Sequence, residues 1–291
     1  MSCLRIVYKS VTSAGDRLGI DFILGTSILG VTVTASSEVG DMVAENLTNS
    51  FKSRIWRAST TSAILTIELG NPTTIRCVAL PFTNLTNAAT MRVRGYTLIT
   101  DVVAVFDTTA LPCCPYSSRE AFGWDTNMPG LATFTRGGGV YASLFFTGAS
   151  VSKLVIDLAD STNPLGYIEA ASLLVGDYWE PLYGTPRSIQ MGYEDTSINT
   201  RSASGDMLSE IQPLNKKMTF PLTTFTEDDR QTLMRILRNN SKTHPLYISA
   251  MTGLGENLEQ EYQIYGKLTD NQLLTLQNIT KFNSTITISE V

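Results

Sequence analysis

The chain holds one histidine, His244, in the order Thr243-His244-Pro245. A single imidazole excludes a His-rich metal centre, no His-based triad is read around it, and carboxylate catalysis is left open. At the entry to a strand, His244 reads as an exposed or capping residue. A glycosidase-type site needs two carboxylates at a set separation. The candidates are Asp125, Asp157, Asp160, Glu169, Glu194 and Asp195, and none has a partner whose separation follows from its spacing. Asp157 and Asp160 flank a turn, where Asp is expected because its side chain bonds the local backbone. Cys3, Cys77, Cys113 and Cys114 lack the C-x-x-C spacing of zinc and redox sites. They read as free buried thiols, with a Cys113–Cys114 or intermolecular disulfide as the alternative. Gly137-Gly138-Gly139 is followed by no Gly-Lys-Ser/Thr and leads into a strand pattern, so it is a turn and not a phosphate loop. No catalytic residue is assigned, and no enzyme is expected.

Aromatic residues supply the other chemistry, stacking on sugar faces. Trp56, Tyr96, Trp124, Tyr141 and Tyr178-Trp179 are available. Trp56 directly precedes a strand and is read as core. Trp124, with Phe122 and Tyr116, lies in the least regular stretch and forms the candidate surface contact.

The elements that would position these residues are strands. Ala63, Leu65, Ile67 and Leu69 alternate with Ile64, Thr66 and Glu68, the period of a strand with one buried face. Gly70-Asn71-Pro72 predicts a turn, and Ile75 to Phe82 and Thr90 to Ile99 predict further strands. Residues 100–140, broken by Pro112, Pro115 and Pro129, read as an irregular insertion. Val140 to Phe146, Lys153 to Leu158 and Tyr167 to Val175 resume the strand pattern, and Gly176 to Pro186 looks like a packed boundary. Beyond it come strands at 187–193 and 216–222, then a helix over 226–239. Thr226 caps that helix, with Asp229 three residues on, and Leu233, Ile236 and Leu237 form its apolar face. Strands at 245–250, 259–268 and 278–290 complete the chain.

Composition bounds the function. Of 291 residues, 43% are hydrophobic and 17% charged, with a net charge of −5. That balance argues against nucleic acid, which needs clustered Lys and Arg. Asn215-Lys216-Lys217, the densest basic piece, reads as a solvated loop. The first twenty residues lack the apolar run of a signal peptide, and no segment approaches the ~20 apolar residues of a membrane helix. Synthesis in a cytoplasm and no membrane insertion are therefore expected.

The order of pieces from Val31 to Pro186 resembles the discoidin-like (coagulation factor type C) β-sandwich, in the version found in tailed-bacteriophage structural proteins. It is carried by Ala35-Ser36-Ser37, Asn46-Leu47, Trp56-Arg57, Leu69-Gly70, Val78-Ala79-Leu80 and Asn84-Leu85. Met91-Arg92-Val93-Arg94-Gly95, Gly166-Tyr167-Ile168-Glu169-Ala170 and Trp179-Glu180-Pro181 follow. The C-terminal part is similar to a tail-tube-like module through Phe220-Pro221-Leu222, the capped helix and Ile286-Thr287-Ile288-Ser289-Glu290. The resemblance implies a mainly β chain: an N-terminal arm (1–30), a discoidin-like jelly-roll β-sandwich (31–182) and a smaller β-sandwich or split-barrel module with one α-helix (183–291). It implies a virion structural protein at the distal tail, tip or baseplate, made in the host cytoplasm. Its partners would be other phage tail proteins and further copies of itself in a homo-oligomeric ring, with a host-surface glycan as an additional contact. A carbohydrate-binding receptor-recognition protein is the alternative, and a neck or decoration subunit a second. This sandwich type often holds one structural calcium ion. Asp41, Glu45, Asn46 and Asn49 offer oxygens for it, so calcium stays open and no other cofactor is expected.

Overall fold

The computed structural model describes residues 3–10, 31–49, 51–115, 140–181, 188–212, 214–253, 256–270, 274–278 and 281–291. Asp125 and the contact candidates Trp124, Phe122 and Tyr116 lie outside the described residues. The chain is mainly β. Its first half comprises β1 (Cys3–Ser10), β2 (Thr32–Ala35), β3 (Trp56–Arg57), β4 (Ser62–Thr83), β5 (Thr90–Tyr96), β6 (Phe106–Asp107), β7 (Leu111–Pro112), β8 (Val140–Ala159), β9 (Glu169–Ala170) and β10 (Leu174–Trp179).

The alternation in the sequence is obeyed. Ala63, Leu65, Ile67 and Leu69 are buried, and Ile64 faces out. The Gly70-Asn71-Pro72 turn is corrected, because the chain does not reverse there. β4 runs straight through as one 22-residue strand. Its partner β8 likewise joins two segments expected to be separate into 20 residues. Glu68 pairs with Lys153, and the next pair is Thr73 with Val151, so Leu69 to Pro72 form a bulge. A bulge bends a paired ribbon without breaking it. A second irregularity separates the pairs Ile75–Ala149 and Cys77–Phe145. Side chains from both halves of the ribbon, such as Leu65 and Leu80 of β4 and Leu144 and Ile156 of β8, enter one core. The ribbon therefore folds over, and its two halves supply both layers of a sandwich. β2 and β5 flank the first half of β4 and the second half of β8, while β10 flanks the second half of β4. Trp56 is fully buried in this core, with Nε1 donating to the Ser37 carbonyl at 3.2 Å. Cys77, Cys113 and Cys114 are free and buried, as expected, and burial pushes the Cys113 thiol up to about 12.

The second half comprises β11 (Gln190–Asp195), β12 (Ile198–Arg201), β13 (Met207–Glu210), β14 (Leu214–Phe225), α1 (Glu227–Asn240), β15 (Leu246–Thr252), α2 (Glu256–Glu261), β16 (Gln263–Leu268), β17 (Leu274–Asn278) and β18 (Lys281–Glu290). Thr226 Oγ1 accepts from the Asp229 N–H at 3.1 Å, so the cap lies where the sequence puts it. Leu233 and Ile236 of α1 are buried against Phe220, Ile286 and Ile288. The expected strand over 259–268 needs correction, because it begins as the end of α2, whereas the strand expected over 278–290 is β18, with β17 before it not foreseen. The β12–β13 hairpin was not foreseen.

The N-terminal strand β1 joins the halves. It pairs with β10 on one side and with β15 on the other, giving a continuous order β11-β14-β18-β16-β15-β1-β10-β4-β8-β5. Where the halves meet, Phe82 and Tyr141 of the sandwich pack on Tyr247 and Tyr265. The Phe82 and Tyr141 ring centroids are 5.6 Å apart, and Phe82 and Tyr265 6.0 Å.

Polar groups are buried in the same joint. Tyr141 Oη donates to Glu290 Oε1 at 2.5 Å, the Lys216 N–H donates to Glu290 Oε2 at 3.2 Å, and Lys52 Nζ stands 3.6 Å from Oε2. Lys216, read from the sequence as part of a solvated loop, lies buried in β14; its ammonium donates to the carbonyls of Glu261 and of Gln263, the latter at 2.9 Å. The strand's pairing with β18 carries it inside. Burial lowers Lys216 to about 8, against the opposing pull of Glu290 and Glu261.

A pH signature follows. A lysine whose folded pKa lies below its unfolded value makes the native state shed its proton first. Stability then rises with pH from about 8 toward the ordinary lysine value, by at most about 1.4 kcal/mol per pH unit. The thiols and the phenols of Tyr141 and Tyr247 are raised by burial and act oppositely once their unfolded forms ionise. Urea-unfolding free energies should therefore pass through a shallow maximum between roughly pH 8 and 9 before falling. Lys216→Met should reduce the rise, leaving the part that Lys52, also lowered by burial, contributes; a variant that keeps the wild-type slope would disprove this assignment.

Candidate functional site

The end of the sandwich where β4 starts and β8 finishes is built from polar loops held rigidly. Asp160 is fully buried there, and among the described residues no cation is paired with it. Donors satisfy it instead: the Thr86 N–H at 2.8 Å, Thr86 Oγ1 at 2.7 Å, and Asn163 Nδ2 and Thr162 Oγ1 at 3.3 Å each. An unpaired carboxylate could not be kept inside without such bonds. Asn84 continues the frame: its Nδ2 donates to the Tyr167 carbonyl at 2.9 Å, and its Oδ1 accepts from the Glu169 N–H at 2.8 Å. Gly166 takes a positive φ of 75° to close the turn. Tyr167 and Glu169 are thereby set in place before any ligand arrives.

Arg57 meets them across the β3–β9 pair. Trp56 points into the core, so its neighbour Arg57 faces out, opposite Glu169. Arg57 Nε and Nη2 donate to Glu169 Oε2 at 3.0 and 2.8 Å. The guanidinium carbon stands 4.3 Å from the centroid of the Tyr167 ring. The Arg57 side chain is 30% exposed and that of Glu169 13%. These bonds use two of the five guanidinium N–H groups. The surface thus offers donors, a carboxylate and an aromatic ring on a fixed frame. Such a surface suits a hydroxyl-rich ligand, since it can bond hydroxyls and stack on a ring face.

The other sequence candidates fall elsewhere. Asp157 is bonded by Arg94 Nη2 at 2.6 and 2.8 Å, Glu194 lies 3.9 Å from Lys217, and Asp195 caps the Ser197 N–H at 2.9 Å. Each of these described carboxylates is engaged by a nearby cation or backbone donor. Tyr96 and Tyr141 are buried, and Tyr178 is flanked by Arg5 and Arg76. In the loop considered for calcium, Glu38 accepts from the Ala44 N–H at 2.8 Å. Asn46 Nδ2 donates to the carbonyls of Asp41 and Ile55, turning that amide nitrogen inward. Among the described residues no group of three or more His, Cys, Asp or Glu could hold a metal ion. No described helix is long and apolar enough to cross a membrane.

The sequence reading missed Arg57 and Tyr167 as contacts, although it quoted Trp56-Arg57 and Gly166-Tyr167-Ile168-Glu169. The outward position of Arg57 beside a buried Trp was the available signal. It also missed the β5–β6 loop at the far end of the sandwich. There Leu98 is 57%, Val102 90%, Val103 83% and Val105 52% exposed. The loop is pinned: Lys153 Nζ donates to the carbonyls of Ile99 and Asp101 at 2.6 and 3.0 Å, and Asp101 Oδ2 accepts from the Leu98 N–H at 2.8 Å.

No protein-family model matches the chain, and no curated protein matches it. Similar solved structures do exist. CpGH89CBM32-5 from Clostridium perfringens, in complex with GalNAc-beta-1,3-galactose, is 16% identical with a TM-score of 0.34, covering 50% of this chain and 95% of that one. Chitosan-binding module 1 of a chitosanase/glucanase from Paenibacillus sp. IK-5 is 15% identical with a TM-score of 0.35, covering 50% and 94%. The family 32 module of Clostridium perfringens NanJ, in complex with galactose, is 14% identical with a TM-score of 0.34, covering 51% and 93%. All three are carbohydrate-binding modules, and none is a virion protein. At such identities and scores they carry no argument about this chain's ligand.

Proposed function

We propose that the protein is a non-catalytic recognition subunit, whose sandwich presents the Arg57–Glu169–Tyr167 surface to a carbohydrate. The observation that carries this is the guanidinium held between a carboxylate and a tyrosine ring, partly exposed, on a frame locked by Asp160 and Asn84. Rigid placement lowers the ordering cost of binding, and weakly polar ring stacking with directional hydrogen bonds is the chemistry sugars require. The test is a glycan array followed by calorimetry. The wild-type chain should bind a subset of glycans. Arg57→Ala and Tyr167→Ala should each weaken that binding by at least about tenfold, the scale of a lost hot-spot contact. Retained binding in both variants would move the site elsewhere, and no binding by the wild type would remove the reading.

A second reading keeps the chain in a tailed-phage virion, at the tail tip or baseplate, where protein contacts are its task. The order of sequence pieces from Val31 to Pro186 supports it, as does the exposed apolar β5–β6 loop, a shape suited to burial against another protein. Immunogold label at the distal tail of purified particles is the observation it requires. The two readings are compatible, since a tail subunit can also touch a surface glycan.

A further inference from the structure

The β12–β13 hairpin is the least supported element of the described chain. All eight of its strand residues are exposed, and its two strands form a sheet of their own. An isolated two-stranded hairpin is marginal in water. Its register places Thr200 opposite Leu208 and Ile198 opposite Glu210. Side chains alternate along each strand, so Ile198, Thr200, Leu208 and Glu210 share one face. Ile198 is 54% and Leu208 58% exposed. That face is an apolar pair with an acidic edge.

Elsewhere on the same half lies a groove of complementary character. It has a volume of about 230 Å³ and is lined by the apolar Met234, Leu237 and Leu268 together with Arg238, Ser241, Lys242 and Asp270. An engineered apolar cavity of about 150 Å³ holds benzene, so the groove has room for two aliphatic side chains. Met234 on its wall is 39% exposed. Because Ile198 and Leu208 are exposed, the chain's own hairpin does not fill it.

We propose that the hairpin docks in this groove on a second copy of the chain. Ile198 and Leu208 fill the apolar floor, and Glu210 meets Arg238 and Lys242. The donor and the acceptor are different surfaces, so the contact is head-to-tail: the donor copy retains a free groove and the acceptor copy a free hairpin. Such contacts close into rings or propagate as filaments. The inference gives structural form to the expected self-association and is independent of the glycan surface, which lies on the other half of the chain.

The test is sedimentation velocity on the full chain over a concentration series. The wild type should associate with rising concentration. Leu208→Asp should weaken association by at least about tenfold, as truncated interface anchors do, while Asn199→Asp on the opposite hairpin face leaves it unchanged. Glu210→Lys and Arg238→Glu should each weaken it, and the double variant should recover it. Circular dichroism reports whether each variant is folded, so a folded monomeric Leu208→Asp is the supporting result. A wild type that stays monomeric to about 100 μM, above the range of specific protein interfaces, overturns the proposal. So does association that survives Leu208→Asp, or a charge reversal with no rescue. Arg57→Ala, which should weaken glycan binding, should leave association intact, so the failure of one idea is distinguishable from the failure of the other.

Discussion

Gly148→Ala is expected to destabilise the chain by about 3 kcal/mol or more, the range for overpacking that backbone must absorb. A Cβ at position 148 would stand 1.5 Å from the Ile75 carbonyl oxygen and 2.6 Å from its carbon. Neither atom is the tip of a flexible side chain. β4 and β8 would have to separate at the irregularity beside the Ile75–Ala149 pair, and that ribbon supplies both layers of the sandwich. Gly192→Ala is the control: nothing lies within 4 Å of its added Cβ, so a change within about ±0.5 kcal/mol is expected. Urea unfolding followed by tryptophan fluorescence compares them. Equal effects at the two positions would refute the packing argument.

Glu290→Ala should cost about 3–5 kcal/mol, the usual penalty for removing one partner from a buried ionic cluster. The substitution leaves the Tyr141 hydroxyl without its acceptor, 2.5 Å away in the native chain, and takes the carboxylate from the Lys216 backbone N–H and from the Lys52 ammonium. It also removes a direct tie between the halves, because Tyr141 and Lys52 belong to the sandwich and Glu290 to the last strand. Glu290→Gln keeps the shape and an acceptor but loses the charge, and should fall between the two. A loss below about 1 kcal/mol in Glu290→Ala, the value of a surface pair, would show that water reaches the cluster in solution.

Local pattern was legible wherever one residue's surroundings are its chain neighbours. The alternation at Ala63–Leu69 marked a half-buried strand, Thr226 and Asp229 marked a helix start, and Trp56 before a strand marked core. Each is a consequence of backbone period or a three-residue hydrogen bond. Gly70-Asn71-Pro72 failed for an instructive reason. Those residues permit a turn, but a bulge in a paired ribbon uses the same conformational freedom, and only β8 decides between them. Lys216 failed similarly: nothing beside it announces that Glu290, 74 residues away, receives its backbone N–H. Asp160, read as a turn residue, is also the buried acceptor for Thr86, also 74 residues distant.

By itself the sequence determined the mainly β character, the strand pattern of the first half and the capped start of α1, and it excluded a His-rich metal centre. These rest on residue type and short-range period, which tertiary structure inherits. Only the tertiary structure decided that β1 leaves its own end of the chain to sit between β10 and β15. It also decided that Arg57 and Glu169, 112 residues apart, share one surface, and that the hairpin's apolar face stays uncovered. Strand pairing and burial are long-range: their free energy comes from partners distant in sequence, so no window along the chain contains it.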